Sequence, residues 1–269
     1  AFGKAACPMA RALLDEMGES VRGGVVVTKY GHCDGGAPAG AIELIEAGHP
    51  VPDENGVAGA GRAVELIRQA GGETLVVCLI SGGGSALFVS PMEGLSLDDK
   101  QEMTRILLRG GADIMELNTV RKHLSRVKAG RLAESARPAR VVSLILSDVI
   151  GDPVDFIASG PTAPDRTTWA EALEIVTRYD RAGEMPQRIM RILRDGAEGK
   201  IPDTPKQGDP VFDRVENIVI GSNRIATEAA RRKALAMGYE PVVLTTELRG
   251  EAREAAQRLY RQVLESQSC

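Results

Sequence analysis

Two short runs constrain this chain more than any other feature: Leu75-Val76-Val77-Cys78-Leu79-Ile80 and Val141-Val142-Ser143-Leu144-Ile145-Leu146 are apolar almost throughout, with little alternation. A strand with one face in water alternates apolar and polar side chains, so these runs read as central strands of a parallel sheet covered by helices on both faces. Strands are accordingly predicted at Gly24–Lys29, Ile42–Ala47, Thr74–Ile80, Arg140–Ser147, Glu216–Ile220 and Pro241–Thr246. Helical signals fill the intervals. Ser96 before Leu97-Asp98-Asp99 predicts a capped helix through Arg109, stopped by Gly110-Gly111. Thr168 and Glu171 form a capping box for a helix through Tyr179, and Asn223 caps one that reaches Met237 before Gly238. This alternation predicts an α/β fold: a doubly wound, mostly parallel, Rossmann-like sheet with helices on both faces.

The segment Asp195–Pro210 holds Gly196, Gly199, Pro202, Pro205, Gly208 and Pro210, and reads as a long loop. It is either a domain boundary or a connection to elements that rejoin the same sheet. With 269 residues the chain can form one large α/β domain or two ordinary ones. The reading adopted is one domain over 1–269, with 211–269 rejoining the sheet or leading to a further C-terminal domain. No internal repeat is visible.

Charge and composition exclude several functions. A formal net charge of −4 gives no reason to expect nucleic acid as a partner, since binding its backbone needs clustered positive charge. No apolar run reaches the roughly 18–20 residues of a membrane-spanning helix, and no basic-then-apolar leader opens the chain, so a cytoplasmic protein without membrane contact is expected. Cys7, Cys33, Cys78 and Cys269 lie far apart without a CxxC pair and are expected to be reduced thiols. The first residue is not Met, and Ala1-Phe2-Gly3-Lys4 looks like the end of a strand, so sequence is expected to precede it.

Ser81-Gly82-Gly83-Gly84-Ser85-Ala86-Leu87 follows directly on an apolar strand. Glycines let backbone N–H groups approach an anion closely, and a following helix N-terminus adds its dipole. A tight strand-to-helix connection would use the same residues, but ligands of open α/β sheets bind at the C-terminal ends of such strands. The loop is neither GxxxxGK[ST] nor GxGxxG, so an anion-binding turn outside Walker or dinucleotide chemistry is expected.

Farther on, Asn118, Arg121, Lys122 and Ser125 share one side at helical spacing, with Val120, Leu124 and Val127 on another. That groups cation and amide donors, although a solvated basic face has the same pattern. His123 reads as a packed or surface histidine. Asp148 emerges from the end of an apolar strand, where a carboxylate can bind Mg2+ or position a hydroxyl; Asp152, before Pro153, fits an Asx turn better. Ala158-Ser159-Gly160-Pro161-Thr162 is a small-residue turn with two hydroxyls, and Gly221-Ser222-Asn223 repeats the strand-to-helix pattern of an anion site.

With these residues assembled, the chain resembles the glycerate 2-kinase family, the glycerate kinases often labelled hydroxypyruvate reductases. The matching runs are Gly3-Lys4-Ala5-Ala6, Val27–His32, Glu46–Asp53, Ser81–Leu87, Asn118–Ser125 with Lys128 and Gly130, Ser147-Asp148, Ala158–Thr162 and Gly221–Arg224. They fall in the family's order and span nearly the whole chain. The resemblance implies transfer of the γ-phosphoryl group of ATP, with Mg2+, to the 2-hydroxyl of D-glycerate, giving 2-phosphoglycerate. It also implies two α/β lobes with the active site in the cleft between them. Lys4 matches the Gly-Lys-Ala lysine that carries a catalytic role in the family.

The candidate catalytic residues are thus Lys4 and Asp148, with Asp148 also the metal ligand. The binding set is Ser81, Gly82, Gly83, Gly84, Ser85, Asn118, Arg121, Lys122, Ser125, Lys128, Ser159, Gly160, Thr162, Gly221, Ser222 and Asn223. Family members continue beyond Cys269 into a C-terminal domain with a second Ser-Gly-Gly motif and a catalytic arginine, neither of which is in this sequence. Two alternatives stand beside the kinase. One is a binding module for nucleotide or sugar acid without transfer; the other is an NAD(P)-dependent hydroxypyruvate reductase, which needs a GxGxxG turn that is not found. A homodimer is compatible with the sequence.

Overall fold

A computed structural model describes residues 1–36 and 38–266. Its strands are β1 (Gly24–Lys29), β2 (Ile42–Ala47), β3 (Leu75–Ile80), β4 (Arg140–Leu146) and β5 (Val215–Gly221). The helices are α1 (Ala6–Met17), α2 (Glu54–Arg68), the single turn α3 (Gly84–Leu87), α4 (Leu97–Gly110), α5 (Ile114–His123), α6 (Arg131–Ser135), α7 (Trp169–Tyr179), α8 (Gln187–Ala197), α9 (Asn223–Ala236) and α10 (Ala252–Ser266).

All described strand pairs are parallel: β1 with β2, β3 with β4, and β4 with β5. Phe2 joins the two groups, forming parallel bridges to Val27 of β1 and Ile80 of β3. Its N–H donates to Leu79 O at 2.9 Å and its carbonyl accepts from Ser81 N–H at 3.1 Å. The spatial order is therefore β2, β1, residues 1–3, β3, β4, β5. The chain leaves this central segment through α1, builds outward on one side, then crosses to build outward on the other. That reversal is the topological switch point of a doubly wound sheet.

Alternation in β1 and β3 shows why both faces need helices. Val25, Val27, Cys78 and Ile80 face one core with Ala60 and Val64 of α2, while Val26 and Leu79 face another with Ala6, Cys7 and Ala10 of α1. Burying such a valine or isoleucine contributes about 1.5–3 kcal/mol, which neither face could gain in water. A separate core joins α4, α5, α7 and α8 through residues such as Met103, Leu107, Val120, Trp169, Val176 and Leu193.

The Ser96/Asp99 and Thr168/Glu171 capping boxes form as expected, and Gly111 ends α4 at φ 93°. Four expectations are corrected. Asp195 and Gly196 belong to α8, whose Ile189, Ile192, Leu193 and Gly196 are buried at helical spacing; burial of that stripe outweighs the poor helix propensity of glycine. The cap of α9 is Ser222, whose hydroxyl accepts from Ile225 N–H, while Asn223 is the first helical residue. Residues Pro241–Thr246 form no strand. Val242 is 80% exposed there, and without a partner ladder an extended segment has nothing to hold it in a sheet.

Finally, Cys7 and Cys33 are joined in a disulfide rather than reduced, because packing α1 on the sheet brings their Cα atoms to 5.5 Å. Cys78 remains a buried thiol, which burial pushes up to about 11, and Cys269 lies outside the described residues. Among the described residues no helix is long and apolar enough to cross a membrane.

Candidate active site

Because the strands are parallel, their C-terminal ends lie along one edge, and the residues that follow them meet there. Lys4 follows the central segment, the glycine loop follows β3 and Asp148 follows β4. Gly3 and Ser81 pack tightly: Lys4 N–H donates to Gly82 O at 2.9 Å, and Ala5 N–H to Ser81 Oγ at 3.0 Å. A Cβ on Gly3 would lie 2.3 Å from Ser81 Oγ, so only glycine lets the two turns sit side by side. The lysine is thereby anchored by its backbone to the loop, and its side chain is exposed.

The three loop glycines differ in purpose. Gly84 makes room for close packing, since a Cβ there would meet Ala158 at 3.0 Å and the Phe2 ring at 3.1 Å. Gly82 and Gly83 instead face the site. A Cβ on Gly82 would fall 2.2 Å from Asp148 Oδ2, and one on Gly83 would fall 3.0 Å from the His49 ring and 3.3 Å from Lys4 Cε. Among the described residues no hydrogen bond takes the N–H of Gly82 or Gly83. Backbone donors left unpaired beside an ammonium are poised for an anion. The helix after them is one turn long, so these local donors, rather than the expected macrodipole, supply the attraction.

Ser85 lies one step deeper. Its hydroxyl is 2.8 Å from that of Ser159, and the buried Lys128 donates to Ser85 O at 2.8 Å and Ser85 Oγ at 3.3 Å. Lys128 also reaches Ala158 O, so it ties the loop to the turn that ends in Gly160. Burial, followed by the charges of Lys100 and Arg121, pushes the Lys128 amine well below its ordinary value. Gly221 and Ser222 end β5 at the same edge, and the Asn223 amide donates to Thr246 O at 2.8 Å.

The remaining members of the binding set lie on or just past α5 and at Thr162. Thr162 is buried, its hydroxyl 2.8 Å from Ser143 Oγ and donating to Asn217 Oδ1 at 2.6 Å. Lys122 is buried against Asp165, 3.2 Å away, and its ammonium sits 5.0 Å from the centre of the Phe156 ring. Arg121 is mostly buried against Thr104, and burial lowers its pKa. Ser125 is buried beyond the end of α5 and donates to Ser90 O at 3.3 Å, and Asn118 is half-buried on that helix. They do not share one solvated face. Packing covers Lys122 and Arg121 within α5, and Ser125 lies past the helix end at His123, where Lys100 donates to Leu124 O at 2.8 Å while Arg131 donates to the carbonyls of His123 and Ser125. Cations at a helix C-terminus satisfy its open carbonyls and its dipole. His123 is packed, with Nε2 3.1 Å from Asp203 Oδ1.

His49 was not singled out from the sequence, although it sits in the Glu46–Asp53 run. A lone histidine after a strand carries no local signal; the strand order is what swings it over Gly83. The structure supports a direct test of the loop. Gly83 has φ +84°, so Gly83→Ala should cost about 1–2 kcal/mol of stability through its left-handed backbone. Its methyl group also enters the space between His49 and Lys4, so calorimetric titration with inorganic phosphate should show affinity down about tenfold or more, equivalent to at least 1.4 kcal/mol. Unchanged affinity in the folded variant would reduce the loop to a structural turn.

A protein-family model described as a domain of unknown function, DUF4147, matches residues 1–194. Among curated relatives, a glycerate 2-kinase of Pyrococcus horikoshii is 45% identical over 255 residues, covering 95% of this chain and 56% of its own length. A protein of Agrobacterium vitis named as a hydroxypyruvate reductase is also 45% identical, over 94% of this chain and 55% of its own. The crystal structure of a Thermotoga maritima glycerate kinase superposes with a TM-score of 0.86 at 44% identity, covering 96% of this chain and 59% of that one. The chain thus spans a little over half the length of these relatives.

Proposed function

Because this chain belongs to the DUF4147 family and resembles glycerate 2-kinases along nearly all of its length, we propose that it forms the N-terminal α/β part of an ATP-dependent D-glycerate 2-kinase. The observation that carries this reading is the meeting of Lys4, the open Gly82-Gly83 donors and Asp148 at the switch point of the sheet.

In the proposed reaction the 2-hydroxyl oxygen of D-glycerate attacks the γ-phosphorus of ATP. One P–O bond forms, the bond to the β,γ-bridging oxygen breaks, the hydroxyl proton is released and ADP leaves. Little covalent chemistry falls to the protein in such a transfer, which depends on placing the reactants and stabilising charge. The Gly82 and Gly83 N–H groups cradle phosphate oxygens. The Lys4 ammonium, a compact charge with three donors, offsets charge on the transferring group. Asp148 orients the acceptor hydroxyl or holds Mg2+.

For the metal, the residues fit an ion that arrives with the nucleotide. Among the described residues no group of three potential ligands forms a dedicated site, but Mg2+ is commonly held by one or two carboxylates together with substrate phosphates. Asp148 supplies such a carboxylate beside the phosphate loop. When bound there, the ion would neutralise phosphate charge. On this reading a further C-terminal domain contributes the remaining groups across the cleft.

The test is product analysis. Incubation of the full-length protein with ATP, Mg2+ and D-glycerate should give the phosphorus resonance of 2-phosphoglycerate. Formation of 3-phosphoglycerate would overturn the 2-hydroxyl assignment, and binding of both substrates without transfer would leave a binding module.

A further inference from the structure

His49 lies over the glycine loop with its Nε2 edge toward Gly83, in space it shares with the Lys4 stem. Positive groups dominate its surroundings. Lys4 faces it from the central segment, Lys29 and His32 from the end of β1 and the loop beyond, and Asp148 from the end of β4. On its own connection Asp53 is already engaged, accepting from Gly56 N–H at 3.1 Å and from the Tyr30 hydroxyl at 2.7 Å. Asp148 is the carboxylate that pulls on the ring, against two ammonium groups and a second imidazole.

We propose that His49 is an anion ligand of this site, and that it takes up one proton when a carboxylate or phosphate group of the substrate enters. In the free protein, burial first, then Lys4, Lys29 and His32, hold the imidazole below its ordinary pKa, with Asp148 pulling weakly the other way. An entering anion reverses the local field and favours the imidazolium. The neutral ring donates from one nitrogen only, whereas the imidazolium donates from both. The proton comes from solvent or buffer and goes to a ring nitrogen, and no substrate bond is broken. Since the bound form has the higher pKa, affinity rises as pH falls from 8 toward 6, and it levels off below the pKa of the free protein.

With D-glycerate as the probe, the inference rests on the kinase reading; with inorganic phosphate it does not. Calorimetric titrations at pH 6.5, in buffers of different ionisation enthalpy, read the protons taken up. The parent should take up a substantial fraction of one proton, up to about one, as a single histidine allows. His49→Gln keeps an amide donor but cannot titrate, so the uptake should vanish with D-glycerate and, with phosphate, fall by the share the ring supplied, leaving the ligand's own proton exchange. Its affinity should stay near the parent's at pH 8 and be about tenfold weaker at pH 6. His32→Gln should retain the uptake.

Uptake that is undiminished in His49→Gln, or disappears in His32→Gln instead, overturns the proposal. If glycerate does not bind but phosphate does, with uptake that depends on His49, the glycerate reading fails and this one stands. If neither anion binds, both fall. Should His49→Gln not fold, nitrogen-edited NMR of the parent ring decides: an upward shift of the His49 titration on adding phosphate supports the assignment, and an unchanged titration overturns it.

Discussion

On the proposed kinase reading, Lys4→Met in the full-length protein is expected to lower kcat for phosphoryl transfer from ATP to D-glycerate by roughly 10²-fold or more, the scale of losing one preorganised electrostatic donor. Methionine keeps much of the apolar stem and deletes the charge. The side chain is exposed, and the hydrogen bond that locks this turn comes from the Lys4 backbone, donated to Gly82 O. The unfolding free energy should therefore change by no more than the roughly ±0.5 kcal/mol usual for surface substitutions. Lys4→Arg retains charge with a different geometry and should recover only part of the rate. A lysine that merely holds ground-state glycerate would show itself as a raised KM with kcat nearly unchanged. Normal kinetics in Lys4→Met would remove Lys4 from the catalytic set.

The second large effect concerns stability. Lys122→Met should destabilise the fold by about 3–5 kcal/mol, because it leaves the Asp165 carboxylate buried without its cation. That is a large part of the 5–15 kcal/mol typical of a folded domain, so chemical denaturation will read it clearly. Burial alone would push the Asp165 carboxyl up, but Lys122, His123 and the Thr167 donors bring it below its ordinary value. A depressed carboxylate contributes stability above its unfolded pKa of about 4 and loses it as pH falls through the lower folded value. The gap between parent and variant should thus be full at neutral pH and close only in acid. Asp165→Asn in the same chain should restore part of the loss. Where Lys122→Met remains folded, nucleotide affinity near the parent's would take Lys122 out of the binding set, and a large loss would keep it there.

These two lysines show where a sequence is readable. Lys4 stands at the end of a strand beside a glycine, and a residue so placed in a parallel sheet has one destination, the C-terminal edge. The same logic placed Asp148 after β4 and Gly82-Gly83 after β3. Lys122 sits in a run of donors whose helical spacing suggested a common face; Asn118, Arg121 and Lys122 do lie within α5, but packing buries Lys122 against Asp165, and only Ser125 falls beyond the helix end at His123. Spacing says which residues share a side while the helix continues, and not whether packing covers that side. Pro241–Thr246 failed for a related reason: its β-branched residues fit a strand, but strands exist only as pairs.

By itself, then, the sequence determined the parallel strands, the capped helices α4 and α7, and the glycine loop with Lys4 and Asp148 at strand ends. Each of these leaves a local imprint, because burial on both faces dictates composition, caps need particular side chains and close approach needs glycine. Only the tertiary structure decided that His49 faces Lys4 across Gly83, that Lys128 ties Ser85 to Ala158, that Lys122 pairs with Asp165 and that Cys7 meets Cys33. Those meetings join residues dozens of positions apart. The meetings of His49 with Lys4 and of Cys7 with Cys33 follow from the strand order, which places β1 and β3 on either side of residues 1–3, and no local pattern in the chain encodes it.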